Sequence, residues 1–235
     1  MKIPVKPDLQ PAHIWHLKNT ALLSGIDDEA LRSLWSSSQV HSFLPDEIIP
    51  QIDIGEPALW IIKRGHVRLV YTDFDGNQVS VILLHPGDLF GSLAESGTES
   101  FGESMRTLTS ACIARVSLGR FEQIARRHPE LGFRLARAGL EQLQRVHLHL
   151  AEQMSKPADR RLALALLEID RVFSEDTIDA SECGVSHQDL AELIGTTREM
   201  VTHILGRFRK KGWVEIRRRQ IDIRDRESLQ ELAEA

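Results

Sequence analysis

The chain has 235 residues, 42% hydrophobic and 27% charged, which is enough apolar content for one large or two modest cores and excludes a disordered polymer. Its two cysteines, Cys112 and Cys183, exclude a disulfide framework and any iron–sulfur or zinc site held by cysteines alone. The net charge of −5 is unevenly spread: residues 195–224 carry nine Arg and Lys against three acids, a segment of +6 on a body of −11. A basic stripe of this kind serves phosphate binding whatever the global charge, because long-range fields are screened.

Residues 13–35 read as a helical lead-in with Leu22, Leu23, Leu31, Leu34 and Trp35 on its apolar face. From about Val40 to Val116 the pattern becomes short strands, with Leu59 and Ile61, then Val67, Leu69 and Tyr71, then Val79, Val81 and Leu83 alternating. Gly55, Gly65, Gly76, Gly87 and Gly91 punctuate them at the spacing of an antiparallel, jelly-roll-like β-roll, and Asp75-Gly76-Asn77 supplies a hairpin turn. A helical stretch follows from Gly119 to Met154. Pro129 divides it into a short helix ending near His128 and a long one beginning at Pro129 or Glu130.

Within the long helix, Ala136, Leu140, Leu143, His147, Leu150 and Met154 recur at alternating intervals of four and three. That heptad seam predicts a homodimer interface over about 130–154, although an amphipathic helix packed on its own domain shows the same spacing. Ser155-Lys156-Pro157 interrupts the pattern, and Leu162, Ala163, Leu166 and Leu167 begin a new helix. The expected division is therefore a sensing domain with its long helix over 1–155 and a second domain over 156–235.

The most specific signal lies between His187 and Gly206. Ala191 is the small residue inside a first helix, Gly195 the left-handed turn, and Leu190, Ile194, Val201 and Ile204 the packing positions of a helix-turn-helix. Ser186 with Asp189, and Thr196 with Glu199, match capping boxes. Val201, Ile204, Leu205 and Phe208 share the inner face of the second helix. Arg198, Glu199, Thr202 and His203 share the outer one, where their side chains suit base edges in a major groove. The alternative for Arg198 and Glu199 is a solvated helix start. Trp213 to Ile216 and Ile221 to Ile223 read as two strands of a wing with a basic tip, Arg217, Arg218 and Arg219, placed for phosphates. His187, Thr197 and Lys210 complete the phosphate candidates.

At this point the sequence resembles the CRP/FNR family of bacterial transcription regulators over nearly its whole length. The stretches that carry the resemblance are Ile54-Gly55-Glu56, Ile62-Lys63-Arg64-Gly65, Pro86-Gly87-Asp88-Leu89-Phe90-Gly91, Gly195-Thr196-Thr197-Arg198-Glu199 and the tail Asp225-Arg226-Glu227-Ser228-Leu229. It implies an α+β chain: an N-terminal cyclic-nucleotide-type β-roll, a long dimerisation helix, and a C-terminal winged helix-turn-helix on an inverted-repeat operator in double-stranded DNA. It implies half-sites like TGTGA or TTGAT, an effector, and RNA polymerase as a further candidate partner. The effector pocket it points to comprises Gly91, Ser92, Leu93, Phe101, Gly102, Val146 and His147.

Departures from the family pattern bear on the effector. Where members that bind cyclic AMP carry a ribose-binding Glu, this chain has Ser92. Where they carry an Arg-Ser pair for the phosphate it has Phe101-Gly102, and where they carry a Thr-Ser pair facing adenine it has Val146-His147. His203 replaces an arginine common at its position. These departures predict an effector other than cyclic AMP, of identity and cofactor left open.

The N-terminal region has no cysteine cluster for iron–sulfur sensing. A haem or gas sensor would use His13, His16, His85 or His147, while His147 and His149 lie two apart on a helix and cannot share one metal. Cys183, in a polar loop, is a candidate redox-sensitive thiol, and Cys112 reads as core. The rival readings are a regulatory small-molecule or haem-binding β-roll module and a metal-dependent cupin-type enzyme. The cupin needs a histidine cluster, whereas His41, His66 and His85 stand singly in the sequence, so no enzyme and no metal site is expected. No apolar run reaches the roughly 18 residues of a membrane span, and Met1 to Gln10 lacks a signal-peptide core, so a cytoplasmic location is expected.

Overall fold

The computed structural model of the protein describes residues 26–50, 57–76, 78–91, 103–175, 185–217 and 220–234. Its packing divides into two units, one of residues 1–68 with 83–145 and one of residues 69–82 with 146–235.

In the first unit, helix α1 (Asp28–Ser36) starts where Asp27 accepts a hydrogen bond from the Ala30 N–H at 2.8 Å. It buries Ala30, Leu31, Leu34 and Trp35, the second half of the lead-in expected from the sequence; Leu22 and Leu23 lie outside the described residues. Along the chain eight strands follow among the described residues, with residues 69–82 of β4 and β5 counted in the second unit: β1 (Gln39–Phe43), β2 (Ile48–Ile49), β3 (Ala58–Arg64), β4 (Val67–Thr72), β5 (Gln78–Leu84), β6 (Leu89–Gly91), β7 (Glu103–Thr107) and β8 (Ala111–Ser117). They form two four-stranded sheets, ordered β1-β8-β3-β6 and β2-β7-β4-β5. Helix α2 (Leu118–Arg127) is capped by Ser117, whose hydroxyl accepts from the Arg120 N–H, and it ends before Pro129 as expected.

Leu59, Ile61, Ala114 and Val116 form one core with α1, Phe121 and Ile124 of α2, and Leu131. Burial of each large side chain in such a core contributes roughly 1.5–3 kcal/mol. Trp60 and Ile62, on the other face of β3, are equally buried, and Trp60 stacks on Phe90 with ring centroids 6.0 Å apart. The alternation read from Leu59 and Ile61 therefore marks only one of two buried faces, the one that helices cover, since Trp60 and Ile62 are buried on the other. In β4 and β5 the same reading holds only in part: Val67 and Leu83 are buried as it implies, but other positions are exchanged. Val70 is fully buried and Tyr71 exposed, and Ser80, Ile82 and Leu84 point inward while Val79 is exposed. Val79 and Val81 are apolar but lie one residue out of register with the interior, and a one-residue shift exchanges the faces. The expected turn is present, with the Gly76 N–H bonded to the Asp73 carbonyl at 3.1 Å; Asn77 lies outside the described residues. Cys112 is half-buried rather than core, because it occupies the β8 position whose side chain falls between the buried Ala111 and Ile113.

Helix α3 (Glu130–Ser155) runs 26 residues, and Leu131 is its one fully buried position. It ends one residue before Lys156-Pro157, as the sequence predicts. In the second unit come α4 (Ala158–Glu175), α5 (His187–Leu193), α6 (Arg198–Lys210), the hairpin β9 (Val214–Arg217) and β10 (Gln220–Ile223), and α7 (Arg226–Glu234). Its buried residues include Leu162, Ala163 and Leu166 of α4, Leu190 and Ala191 of α5, Val201, Leu205 and Phe208 of α6, and Leu229 of α7. Asp225 caps the last helix by accepting from the Ser228 N–H at 3.0 Å.

Candidate nucleic-acid interface

Helices α5 and α6 form the expected helix-turn-helix. Ser186 and Asp189 make a reciprocal capping box at the start of α5. Ala191 is buried to 1%, and Gly195 takes φ +57°, the left-handed turn that favours glycine. A Cβ at Gly195 would also stand 3.0 Å from the Gln153 amide oxygen, so the turn is closely packed as well as left-handed. The cap of α6 is Thr197, whose hydroxyl accepts from the Met200 N–H at 3.3 Å. The Thr196–Glu199 box expected from the sequence is corrected by one position: two adjacent threonines offered the same chemistry, and the backbone leaves the helical region at the second.

The faces of α6 sort as expected. Val201, Ile204, Leu205 and Phe208 are buried, while Arg198, Glu199, Thr202 and His203 are exposed together. Polar bonds fix this helix from two sides. Arg207 pairs with Asp159 of α4 at 2.7 Å. His187 of α5 places Nδ1 2.8 Å from the Thr202 hydroxyl, and that hydroxyl donates to the Arg198 carbonyl at 2.9 Å. Burial first, then the adjacent Arg198 charge, holds the His187 imidazole below its ordinary pKa, so it is neutral at pH 7. Thr197 and Lys210 are exposed at opposite ends of α6.

The wing is a two-stranded antiparallel hairpin registered Ile216↔Ile221 and Glu215↔Asp222. Arg217 is exposed but paired with Glu215 at 3.2 Å and with Asp222 at 3.7 Å, and Arg224 is hydrogen-bonded to the same Glu215. These contacts, Arg224 first and then Arg217, hold the Glu215 carboxyl below its usual range. Arg218 and Arg219 lie outside the described residues.

Of the effector-pocket candidates, Ser92, Leu93, Phe101 and Gly102 lie outside the described residues. Gly91 ends β6 with φ +132°, and a Cβ there would stand 2.2 Å from the Ala58 carbonyl oxygen, so only glycine allows the two strands to pair here. Val146 is half-buried and His147 exposed on α3. A tie that the sequence did not announce joins the roll to this helix: Arg145 bonds Asp88 at 2.7 Å, and Asp88 also accepts from the His85 backbone N–H at 2.8 Å. Burial alone would raise the Asp88 pKa, but the His85 and Arg145 hydrogen bonds outweigh it and hold the carboxyl below its usual range.

The histidines treated as isolated in the sequence are partly brought together, since the His66 and His85 rings meet edge to face at 5.5 Å. His41 instead packs 5.6 Å from Trp60. Among the described residues, Asp27, His128 and Glu130 form a compact charged group, with His128 Nδ1 3.0 Å from Asp27 and 3.6 Å from Glu130. Each member sits at a helix end, and the pairing of one imidazole with two carboxylates accounts for it. Only Asp27, an N-cap type ahead of an apolar run, could have been found from sequence.

Fold and motif together define a winged helix-turn-helix attached to an antiparallel β-roll. Residues 40–128 match the profile of the cyclic nucleotide-binding domain, and residues 160–232 that of the Crp-like helix-turn-helix domain. The chain is 29% identical to the cyclic AMP receptor protein of Thermus thermophilus, over 92% of this chain and 98% of that protein. It is 26% identical to the CRP-like cAMP-activated global transcriptional regulator of Mycobacterium tuberculosis, over 91% and 96% of the two chains. The fold is shared with a CRP-family transcriptional regulator, also from Thermus thermophilus, at TM-score 0.70 and 23% identity, over 83% of this chain and 97% of that one. The chain belongs to the CRP/FNR family: it is a DNA-binding transcription regulator and not an enzyme. No described helix is long and apolar enough to cross a membrane.

Proposed function

We propose that this regulator acts in the cytoplasm as a homodimer on an inverted-repeat operator, under an effector other than cyclic AMP. The sensing part comprises residues 1–155, and the DNA-binding part residues 156–235. The observation that carries the DNA reading is the clean sorting of α6, which buries Val201, Ile204, Leu205 and Phe208 and exposes Arg198, Glu199, Thr202 and His203. Arg198 can donate twice to guanine, Glu199 can accept from cytosine N4, and Thr202 can touch a thymine methyl. His187, Thr197, Lys210 and the wing arginines 217–219 contact phosphates and set affinity rather than sequence. A two-fold dimer spaces its half-sites about one helical turn apart, roughly 34 Å.

The dimer is supported by the α3 seam, where Leu140, Leu143, Leu150 and Met154 are all exposed in the single chain. The departure from cyclic AMP is supported by Val146 and His147, neither of which offers the hydroxyl pair that faces adenine in family members binding that nucleotide. Two relatives carry cyclic AMP in their names, which makes a direct titration the deciding measurement for the effector. RNA polymerase is the partner through which such a regulator would act.

Binding to a randomised operator library at two salt concentrations tests the DNA reading. Arg198→Ala should cost roughly 1–3 kcal/mol and relax one base pair per half-site. Arg218→Ala should weaken all sequences alike and lower the salt slope by about one ion. Reversed behaviour of the two variants would make the wing the reader.

A further inference from the structure

Thr202 sits on the exposed face of α6, but its hydroxyl is already committed. That oxygen carries one proton, and the proton is given to the Arg198 carbonyl four residues back, at 2.9 Å. His187 Nδ1 approaches the same oxygen at 2.8 Å. With the hydroxyl proton spent on the carbonyl, the imidazole must be the donor, so its neutral form carries hydrogen on Nδ1 and leaves Nε2 bare. Burial and the neighbouring Arg198 charge favour that neutral form.

Two bonds from opposite sides therefore fix the side-chain torsion of Thr202. A β-branched residue in a helix has few rotamers to begin with, and turning the oxygen outward would break both bonds together. The hydroxyl has no proton left to offer a base. What remains for the groove is the γ-methyl and one acceptor lone pair of a hydroxyl already held by two bonds.

We infer that Thr202, locked by His187, reads its base pair as an apolar probe, selecting the 5-methyl group of thymine rather than a hydrogen-bonding base edge. This rests on α6 being the base-reading helix, and it assigns His187 a second role beside any phosphate contact: it positions Thr202. Cytosine presents no methyl at the corresponding position and a purine would crowd it, so thymine is favoured at one position per half-site.

The experiment uses the full-length protein and the tightest duplex it selects from a randomised library. Each thymine of the half-site is replaced in turn by deoxyuridine, which removes only the methyl group. At one thymine the wild type should lose about fourfold per half-site, the value of one buried methyl. Thr202→Val, which keeps a methyl and discards both hydroxyl bonds, should retain the thymine-over-uracil preference. Thr202→Ser, which keeps the hydroxyl and discards the methyl, should lose it. His187→Ala should shrink the preference by freeing the hydroxyl to turn outward, whereas His187→Asn, with an amide donor in place of Nδ1–H, should restore part of it.

The inference is overturned if no thymine is sensitive to deoxyuridine, or if Ser keeps the preference and Val loses it, since the hydroxyl would then be the reader. Failure to select any motif at all would instead remove α6 as the reading helix. The two failures are thus distinguishable.

Discussion

Leu143→Lys tests the dimer seam most directly. Leu143 is 49% exposed in the single chain, so about half of its side chain remains to be buried by a partner. Full burial of a leucine is worth roughly 1.5–3 kcal/mol, so this half contributes about 0.7–1.5 kcal/mol per copy. A two-fold interface uses the residue twice, giving about 1.5–3 kcal/mol per dimer before the cost of burying an ammonium is added. The dimer dissociation constant should therefore rise by at least roughly 10- to 150-fold. Sedimentation velocity over a dilution series would follow the shift from dimer to monomer, and operator affinity should fall with it because each half-site is then bound singly. The protomer should keep most of its stability, since about half of Leu143 is already exposed in the single chain. An unchanged mass at every dilution, or a protomer that unfolds early while remaining dimeric, would refute the seam.

Cyclic AMP should show no micromolar binding by calorimetric titration, and a tight isotherm would overturn the argument from Val146 and His147. Asp88→Asn should lower stability by about 1–2 kcal/mol at pH 7 in urea unfolding, a figure discounted because Arg145 is partly exposed. Because the folded Asp88 pKa is depressed, its contribution is present above the ordinary aspartate pKa and is lost as pH falls through the folded value. The gap between variant and wild type should therefore close at acid pH, and a constant gap would deny the ion pair its role. His187, held neutral in the free protein, gains a proton beside a phosphate, so operator affinity should tighten as pH falls through the ordinary imidazole range and below it. His187→Gln should flatten that profile, and an equally steep profile in the variant would place the titrating group elsewhere.

How much was legible in the sequence follows from the range of the interactions involved. The helix-turn-helix was readable almost completely, because its caps, turn glycine and packing positions all lie within about twenty residues and each constrains its neighbours. Even there, Thr196 and Thr197 could not be told apart, since the choice depends on where the backbone turns. The roll was readable as strands and turns but not as faces. Val79 and Val81 alternate as well as any buried pair, yet Ser80 between them is the residue that is fully buried. Alternation fixes a period and leaves the phase to tertiary contacts. Long-range polar ties were invisible: Arg145 with Asp88 spans 57 positions, and the Gln153 side chain, which donates to the Leu193 carbonyl, spans 40.

Those two ties bear on the one ambiguity that the spacing of α3 left open. A heptad stripe fits a helix packed on its own domain as well as one packed on a second copy. In the first case the apolar stripe would be covered within the chain and the polar face would be free. The structure shows the reverse. Leu140, Leu143, Leu150 and Met154 are bare, while Arg145 holds Asp88 and Gln153 holds both Leu193 and Arg161. At 100° per residue, Arg145, His149 and Gln153 centre roughly 140° around the helix from the seam. Among the described residues, α3 is engaged by its polar face, while its apolar one stays exposed over nearly three heptads. Exposed leucines repeated at that spacing favour a second copy of the same helix, which presents the same stripe in return.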